Sequence, residues 1–245
     1  MTITRRRFCG FIAAAGVPAG LRPAAAGQPV TVIDMVGRQV HLPALPGRIV
    51  LLEGHDLLTM SLLHPDPSSL VVGWAAADRI DSERLRDRLL NGRSVEIVGK
   101  LSPDTLSLEG LVSLAPDLVV TTSFMTPHGD ADPLVQRLTQ FGIPVIFSDA
   151  SNNTAASGRV AYPVAEIEAS MKMWGTLLGA AEKAVAFASF FKRGLAVVDA
   201  CVSGAPAVTT YLEVQSTPGD CCWAAGGRIW GELLSRVGGA SLPGV

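Results

Sequence analysis

The stretch Ser107-Leu108-Glu109-Gly110-Leu111-Val112-Ser113-Leu114-Ala115-Pro116-Asp117-Leu118-Val119-Val120 decides the fold class of this 245-residue chain. Residues 108–115 read as a short helix. Pro116 closes it, because proline lacks an N–H and disfavours helical backbone just before itself. Residues 117–122 follow at once as a strand, with Leu118-Val119-Val120 at its centre. A run that is apolar at successive positions suits a strand buried on both faces, as in a parallel sheet covered by helices.

The same pattern extends in both directions. Upstream, strands at 48–52, 70–73 and 95–98 alternate with helices at 56–63 and 82–90. Downstream, a helix at 133–141 ends at Gly142, a usual helix-stop glycine, and a strand at 144–148 follows. A hairpin at 31–34 and 39–42, turning at Gly37-Arg38, precedes the series. Alternating strands and helices imply parallel β-α-β units and an α/β fold. Residues 165–178 and 182–202 then read as helices. The second carries Ala184, Phe187, Phe191, Leu195, Val198 and Val202 in steps of three and four, the spacing of one buried stripe. At 1.5 Å per residue it is about 30 Å long, enough to cross a domain or to join two. Beyond Gly204, a strand at 208–214, a Gly/Pro-rich turn and a helix at 228–237 begin a new unit.

Composition excludes several classes. With 48% hydrophobic and 17% charged residues the chain is not disordered, and its 25 Gly and 16 Pro lack a collagen period. A net charge of −2 argues against a nucleic-acid partner held through phosphates. Residues 1–26 carry Arg5, Arg6, Arg7 and Arg22, no acid, an apolar run too short for a bilayer, and a small-residue site at Ala24-Ala25-Ala26. They read as a signal peptide. Thr4-Arg5-Arg6-Arg7-Phe8 is similar to the twin-arginine export signal, with Arg5 and Arg6 as its pair. Loss of those four arginines moves the formal charge from −2 to about −6. No later segment is long and apolar enough to span a membrane, and Cys9 is not placed for a lipid anchor. Cys201, Cys221 and Cys222 form no C-x-x-C, so a zinc or thioredoxin-type site has no support. In an oxidising compartment Cys201 either pairs with Cys221 or Cys222, or all three remain thiols. There is no nucleophile elbow, P-loop, H-E-x-x-H or G-x-G-x-x-G pattern. His41, His55, His64 and His128 show no i, i+4 spacing, so neither a metal centre nor a cofactor is expected.

The 107–120 stretch resembles a segment of the periplasmic binding proteins for iron–siderophore, haem and cobalamin uptake: a Glu, a helix turn, then Leu-x-Pro-Asp-Leu-Val. Other blocks agree in order and spacing. Val36-Gly37-Arg38 through Leu42-Pro43, and Pro46-Gly47-Arg48-Ile49-Val50, are similar to the family's opening hairpin and first strand. Val71-Val72-Gly73 and Phe141-Gly142-Ile143-Pro144-Val145 are similar to later strands, and residues 226–239 to the first helix of the second lobe. The resemblance implies two Rossmann-like α/β lobes joined by one long rigid helix. The expected organisation is a signal at 1–26, a first lobe at 27–180, a linker helix at 181–203 and a partial second lobe at 204–245. The last 42 residues are fewer than half of what the resemblance implies for that lobe, so the second lobe is expected to be incomplete, by truncation at its C-terminal end.

The resemblance also implies a function: a periplasmic, monomeric substrate-binding component of an ABC importer. It would hold a metal-chelate ligand between the lobes and deliver it to an inner-membrane permease. Glu109 would dock on the permease, its carboxylate against a basic pocket. Its other reading is an acid favoured at a helix N-terminus. Ligands of open α/β sheets bind beyond the carboxyl ends of the strands. That rule selects His55 and Asp56, Trp74, Thr122 and Ser123, and in the second lobe Glu213 and Trp223. Asp56 could also simply cap its helix. Haem-binding members place a tyrosine after the second strand; residues 74–81 contain none, which lowers the haem reading. The competing expectations are a secreted α/β enzyme without a recognisable motif and a non-functional remnant of a binding protein.

Overall fold

The computed structural model describes residues 27–149, 163–217, 220–224 and 229–242. The expected signal at 1–26, including Arg5 and Arg6, lies outside the described residues. An antiparallel hairpin, β1 (Val30–Ile33) and β2 (Gln39–Leu42), opens the fold. Then β3 (Ile49–Leu51), β4 (Val71–Ala75), β5 (Glu96–Gly99), β6 (Leu118–Thr121) and β7 (Val145–Phe147) form one sheet in the order β5-β4-β3-β6-β7. Every pairing in it is parallel. The crossovers carry α1 (Asp56–Leu63), α2 (Glu83–Leu90), α3 (Leu108–Ser113) and α4 (Pro133–Gln140). The α/β class read from the sequence is the class observed.

Strand periodicity divides the core into two layers. Ile49 and Leu51, Leu118 and Val120, and Ile146 point to one face, where they pack with Leu57 and Met60 of α1. Val50, Val119, Val145 and Phe147 point to the other, against Leu111 of α3 and Val135 and Leu138 of α4. The strands are apolar at successive positions because both faces are covered. Full burial of each Leu or Ile contributes roughly 1.5–3 kcal/mol. Gly73 on β4 makes room for Leu114: a Cβ there would lie 2.5 Å from Leu114 Cδ1, so that side chain would have to move.

The motif blocks meet at the amino ends of the strands. The Asp117 carboxylate accepts the backbone N–H groups of Gly47 at 2.9 Å and Arg48 at 3.0 Å. In return Arg48 donates to the carbonyls of Ala115 (3.0 Å) and Leu114 (2.6 Å). So Pro46-Gly47-Arg48 and Leu114-Ala115-Pro116-Asp117 form one clasp that sets β3 beside β6. The hairpin turn docks similarly. Buried Asp34 accepts from Arg38, whose guanidinium also donates to the Val145 carbonyl at 2.8 Å.

Next come α5 (Pro163–Leu177) and α6 (Ala181–Val202). Met171, Trp174 and Leu177 of α5 complete the first core layer. Twenty-two residues make α6 about 33 Å long. Of its expected stripe, Ala184 is buried and Phe187, Phe191, Leu195, Val198 and Val202 are half-buried. Lys183 ties it to the end of α1 by donating to the Leu63 carbonyl at 3.1 Å.

The expected strand at 208–214 is corrected by the structure. It is two strands, β8 (Val208–Thr210) and β9 (Glu213–Thr217), broken at Tyr211-Leu212. The expected Gly/Pro-rich turn carries β10 (Asp220–Ala224), which pairs with β9 as a hairpin. After α7 (Ile229–Arg236), β11 (Gly239–Ser241) pairs parallel to β8, a second small α/β unit. Arg236 joins it to α6 through Asp199 at 3.0 Å. Cys201 is an exposed free thiol. No helix among the described residues is long and apolar enough to cross a membrane.

Candidate functional site

The strand order makes the site. From β3 the polypeptide winds outward through β4 to β5, then returns to lay β6 and β7 on the other side. The loops after β3 and β6 therefore leave in opposite directions and open a crevice at the carboxyl edge, the usual ligand position in open α/β sheets. A cavity of about 380 Å³ lies there. The loop after β3 supplies Glu53, His55 and Asp56, and the loop after β6 supplies Thr122 and Phe124. Ser148 and Asp149 follow β7, and Arg79 and Leu101 follow β4 and β5. Gly54 lets the loops after β3 and β4 touch: a Cβ there would lie 3.0 Å from the Ala76 carbonyl oxygen and 3.1 Å from that of Ala75. A second concavity, of about 530 Å³, lies at the opposite end of the sheet beside His64, Asp66 and Arg88. No strand delivers its carboxyl end there, so the first is the better site.

Glu53 is buried, with an imidazole and a guanidinium beside it. His55 Nδ1 stands 3.0 Å from its Oε1, off the line of a good hydrogen bond, and Arg79 Nε stands at 3.4 Å. Burial opposes its ionisation. The His55 and Thr122 contacts and the Arg79 charge outweigh that, and hold the carboxyl below its ordinary range. The Glu53 contact raises the His55 pKa, helped by the Asp56 charge and opposed by burial and Arg79.

Asp56 is the first residue of α1 and Oδ2 accepts the Ser148 hydroxyl at 2.8 Å. Burial pushes its pKa up to about 7, although His55 and Ser148 pull the other way. Burial also raises Asp149, even though Ser123 donates its N–H at 2.7 Å and its hydroxyl at 3.1 Å. Among the described residues the cavity floor thus holds three carboxyl groups, and of these Glu53 is the one with His and Arg nitrogens within 3.4 Å. Among the described residues no group of His, Cys, Asp and Glu is arranged to hold a metal ion.

Of the residues selected from sequence, His55, Asp56 and Thr122 line the cavity, and Ser123 positions Asp149. Asp56 does not cap its helix, since His55 holds the N-cap position. Trp74 is not brought to the cavity and is corrected to a core residue. Its strand runs on to Ala75, so its side chain, 3% exposed, turns into the apolar layer with Met60 and Leu51. Glu213 is exposed at the start of β9 and is not part of this cavity. Trp223 lies on β10, and its side chain is outside the described residues. Glu109 is exposed in the first turn of α3, whose N-cap Ser107 accepts the Gly110 N–H at 3.2 Å. Sequence reasoning missed Glu53, Arg79, Leu101, Phe124, Ser148 and Asp149. A signal existed for most of them: each follows a strand by only a few residues.

The periplasmic binding protein family profile matches residues 62–243, well over half of the chain. Among solved structures, the TroA-like periplasmic binding protein FepB from Veillonella parvula is 22% identical with a TM-score of 0.69, over 86% of this chain and 61% of that one. The siderophore-binding protein BauB, solved with two molecules of acinetobactin and ferric iron, is 18% identical with a TM-score of 0.58, over 89% and 69%. A periplasmic haem-binding protein from Pseudomonas aeruginosa is 21% identical with a TM-score of 0.56, over 80% and 63%. This chain therefore spans 61–69% of the length of those three. No curated protein sequence matches it. The family and these structures are those of binding proteins, not enzymes. The five-stranded parallel sheet, the long α6 and the profile match agree: the chain belongs to the periplasmic binding protein family.

Proposed function

We propose that this chain is the extracytoplasmic binding component of an ABC importer, capturing an iron–siderophore or related metal chelate and passing it to a membrane permease. The observation that carries the reading is the polar cavity at the β3/β6 switch point of a member of this family. The ligands named for BauB and for the Pseudomonas aeruginosa protein support the chelate class. In this reading residues 27–180 are a first lobe, 181–203 a connecting helix and 204–245 part of a second lobe, and the monomer holds its ligand against the first. Residues 1–26 direct export by the twin-arginine route through Arg5 and Arg6. Tryptophan-quenching titration with ferric siderophores, haem and cobalamin tests the reading. Saturable quenching without chemical change of the ligand is expected; turnover, or silence with every ligand, would overturn it.

Glu109 is the docking residue in this proposal. It is exposed and tied only to its own N-cap, so it is free to meet a basic pocket. Glu109→Ala is expected to leave chelate affinity unchanged and to slow uptake by about tenfold in cells that depend on this importer. Unchanged uptake would remove the docking role.

A further inference from the structure

The charge of the cavity goes further than the chelate class, and rests on that reading. We infer that the first-lobe wall selects a chelate that carries positive charge, such as a pendant ammonium group, over an anionic one. The three carboxyls are not equally served. Glu53 has His55 and Arg79 beside it. Among the described residues Asp149 meets the N–H and hydroxyl of Ser123 and no cation at hydrogen-bond range. Asp56 lines the cavity at 5% exposure and accepts one hydrogen bond among the described residues, from Ser148. An ionised carboxylate offers about four acceptor positions, so most of those on Asp56 are unused in a place water barely reaches. Burial keeps both groups reluctant to ionise, and among the described residues the nearby His55 charge, which is itself engaged by Glu53, offsets this only in part.

An ammonium group entering the cavity supplies the missing partner. An anionic chelate instead sets like charge against Asp56 and Asp149. Among the described residues lining this cavity, Arg79 is the permanent cation that such a ligand could recruit, and it is half-exposed at the rim. Drawing it away leaves buried Glu53 with one cation fewer, which costs more than the new contact returns. Phe124, 47% exposed, and half-buried Leu101 give the cavity an apolar side for the chelate's hydrocarbon, and a ring face adds attraction for a cation.

The test uses a matched pair of ligands. Ferrioxamine B carries a free ammonium group, and its N-acetyl derivative has the same iron shell without it. Ferric enterobactin supplies an anionic comparison. The full-length protein is expected to bind ferrioxamine B about tenfold more tightly than the acetylated form and on the order of 100-fold more tightly than ferric enterobactin. In Asp56→Asn/Asp149→Asn the first difference should vanish while the acetylated chelate still binds. Asp149→Asn alone, which keeps an acceptor for Ser123, should reduce it if the double variant does not fold. Equal affinity for the matched pair, tighter binding of the anionic chelate, or a preference that survives in the variants would overturn the inference but leave chelate binding intact. Failure of every chelate to bind would remove both readings together.

Discussion

Replacing Asp56 by Asn should make the protein more stable, and more so as pH rises. The carboxyl is almost fully buried on α1, and its pKa rises from the ordinary 3.8 to about 7. Glu53 and Asp149 face it with like charge, His55 with opposite charge, and Ser148 with a hydroxyl. Because the folded pKa lies above the unfolded one, the folded state holds the proton longer, so Asp56 subtracts stability as pH climbs from about 4 to 7. At about 1.4 kcal/mol per pH unit the cost is roughly 2 kcal/mol at pH 5 and ~4 kcal/mol at pH 8. Asn keeps an acceptor for Ser148 and carries no charge. Urea unfolding of both proteins at pH 5 and pH 8 reads the difference. The advantage of Asp56→Asn should be about 2 kcal/mol larger at pH 8. An advantage that is constant, or shrinks as pH rises, would refute the reasoning about this carboxyl.

Two further predictions concern the scaffold. Asp117→Ala removes both acceptors of the clasp at an exposed position where water can reach the freed N–H groups, so urea unfolding should show a loss of about 1–2 kcal/mol, partly restored in Asp117→Asn; no change would show that the clasp does not support the sheet. Trp74→Leu should cost about 2 kcal/mol of stability by opening a core cavity, yet leave chelate affinity within about twofold. A tenfold weaker affinity in the folded variant would return Trp74 to the ligand.

The sheet was legible because its strands are short, apolar and separated by clear helix stops. The helix expected at 56–63 is α1 as observed, and α6 begins one residue before its expected start. The second unit was less legible. Val208 to Val214 reads as one β-prone run, and only tertiary pairing decides that β8 takes a parallel partner while β9 folds into a hairpin. At the site, one strand length decided the outcome. Ending the second strand at Gly73 puts Trp74 in the loop; two more residues of strand, with a bulge between Val71 and Gly73, turn it into the same core layer as Val71. The strand-end rule leads to cavity-lining residues after β3 and β6. It was not applied after β7, where Ser148 and Asp149 complete the floor. Arg79 and Leu101 also follow strands, but they lie further round the rim, where the packing of the loops after β4 and β5 brings them to the cavity.

Hydrogen exchange of the full-length protein with and without ferrioxamine B tests the central claim most directly. If the cavity at the switch point holds the chelate, amides of residues 52–57, 121–126 and 147–149 should exchange more slowly in its presence, and those of residues 61–67 and 85–91 at the opposite end should not change. Slowing confined to that opposite end, or saturable binding with no slowing in the three loops, would contradict the account.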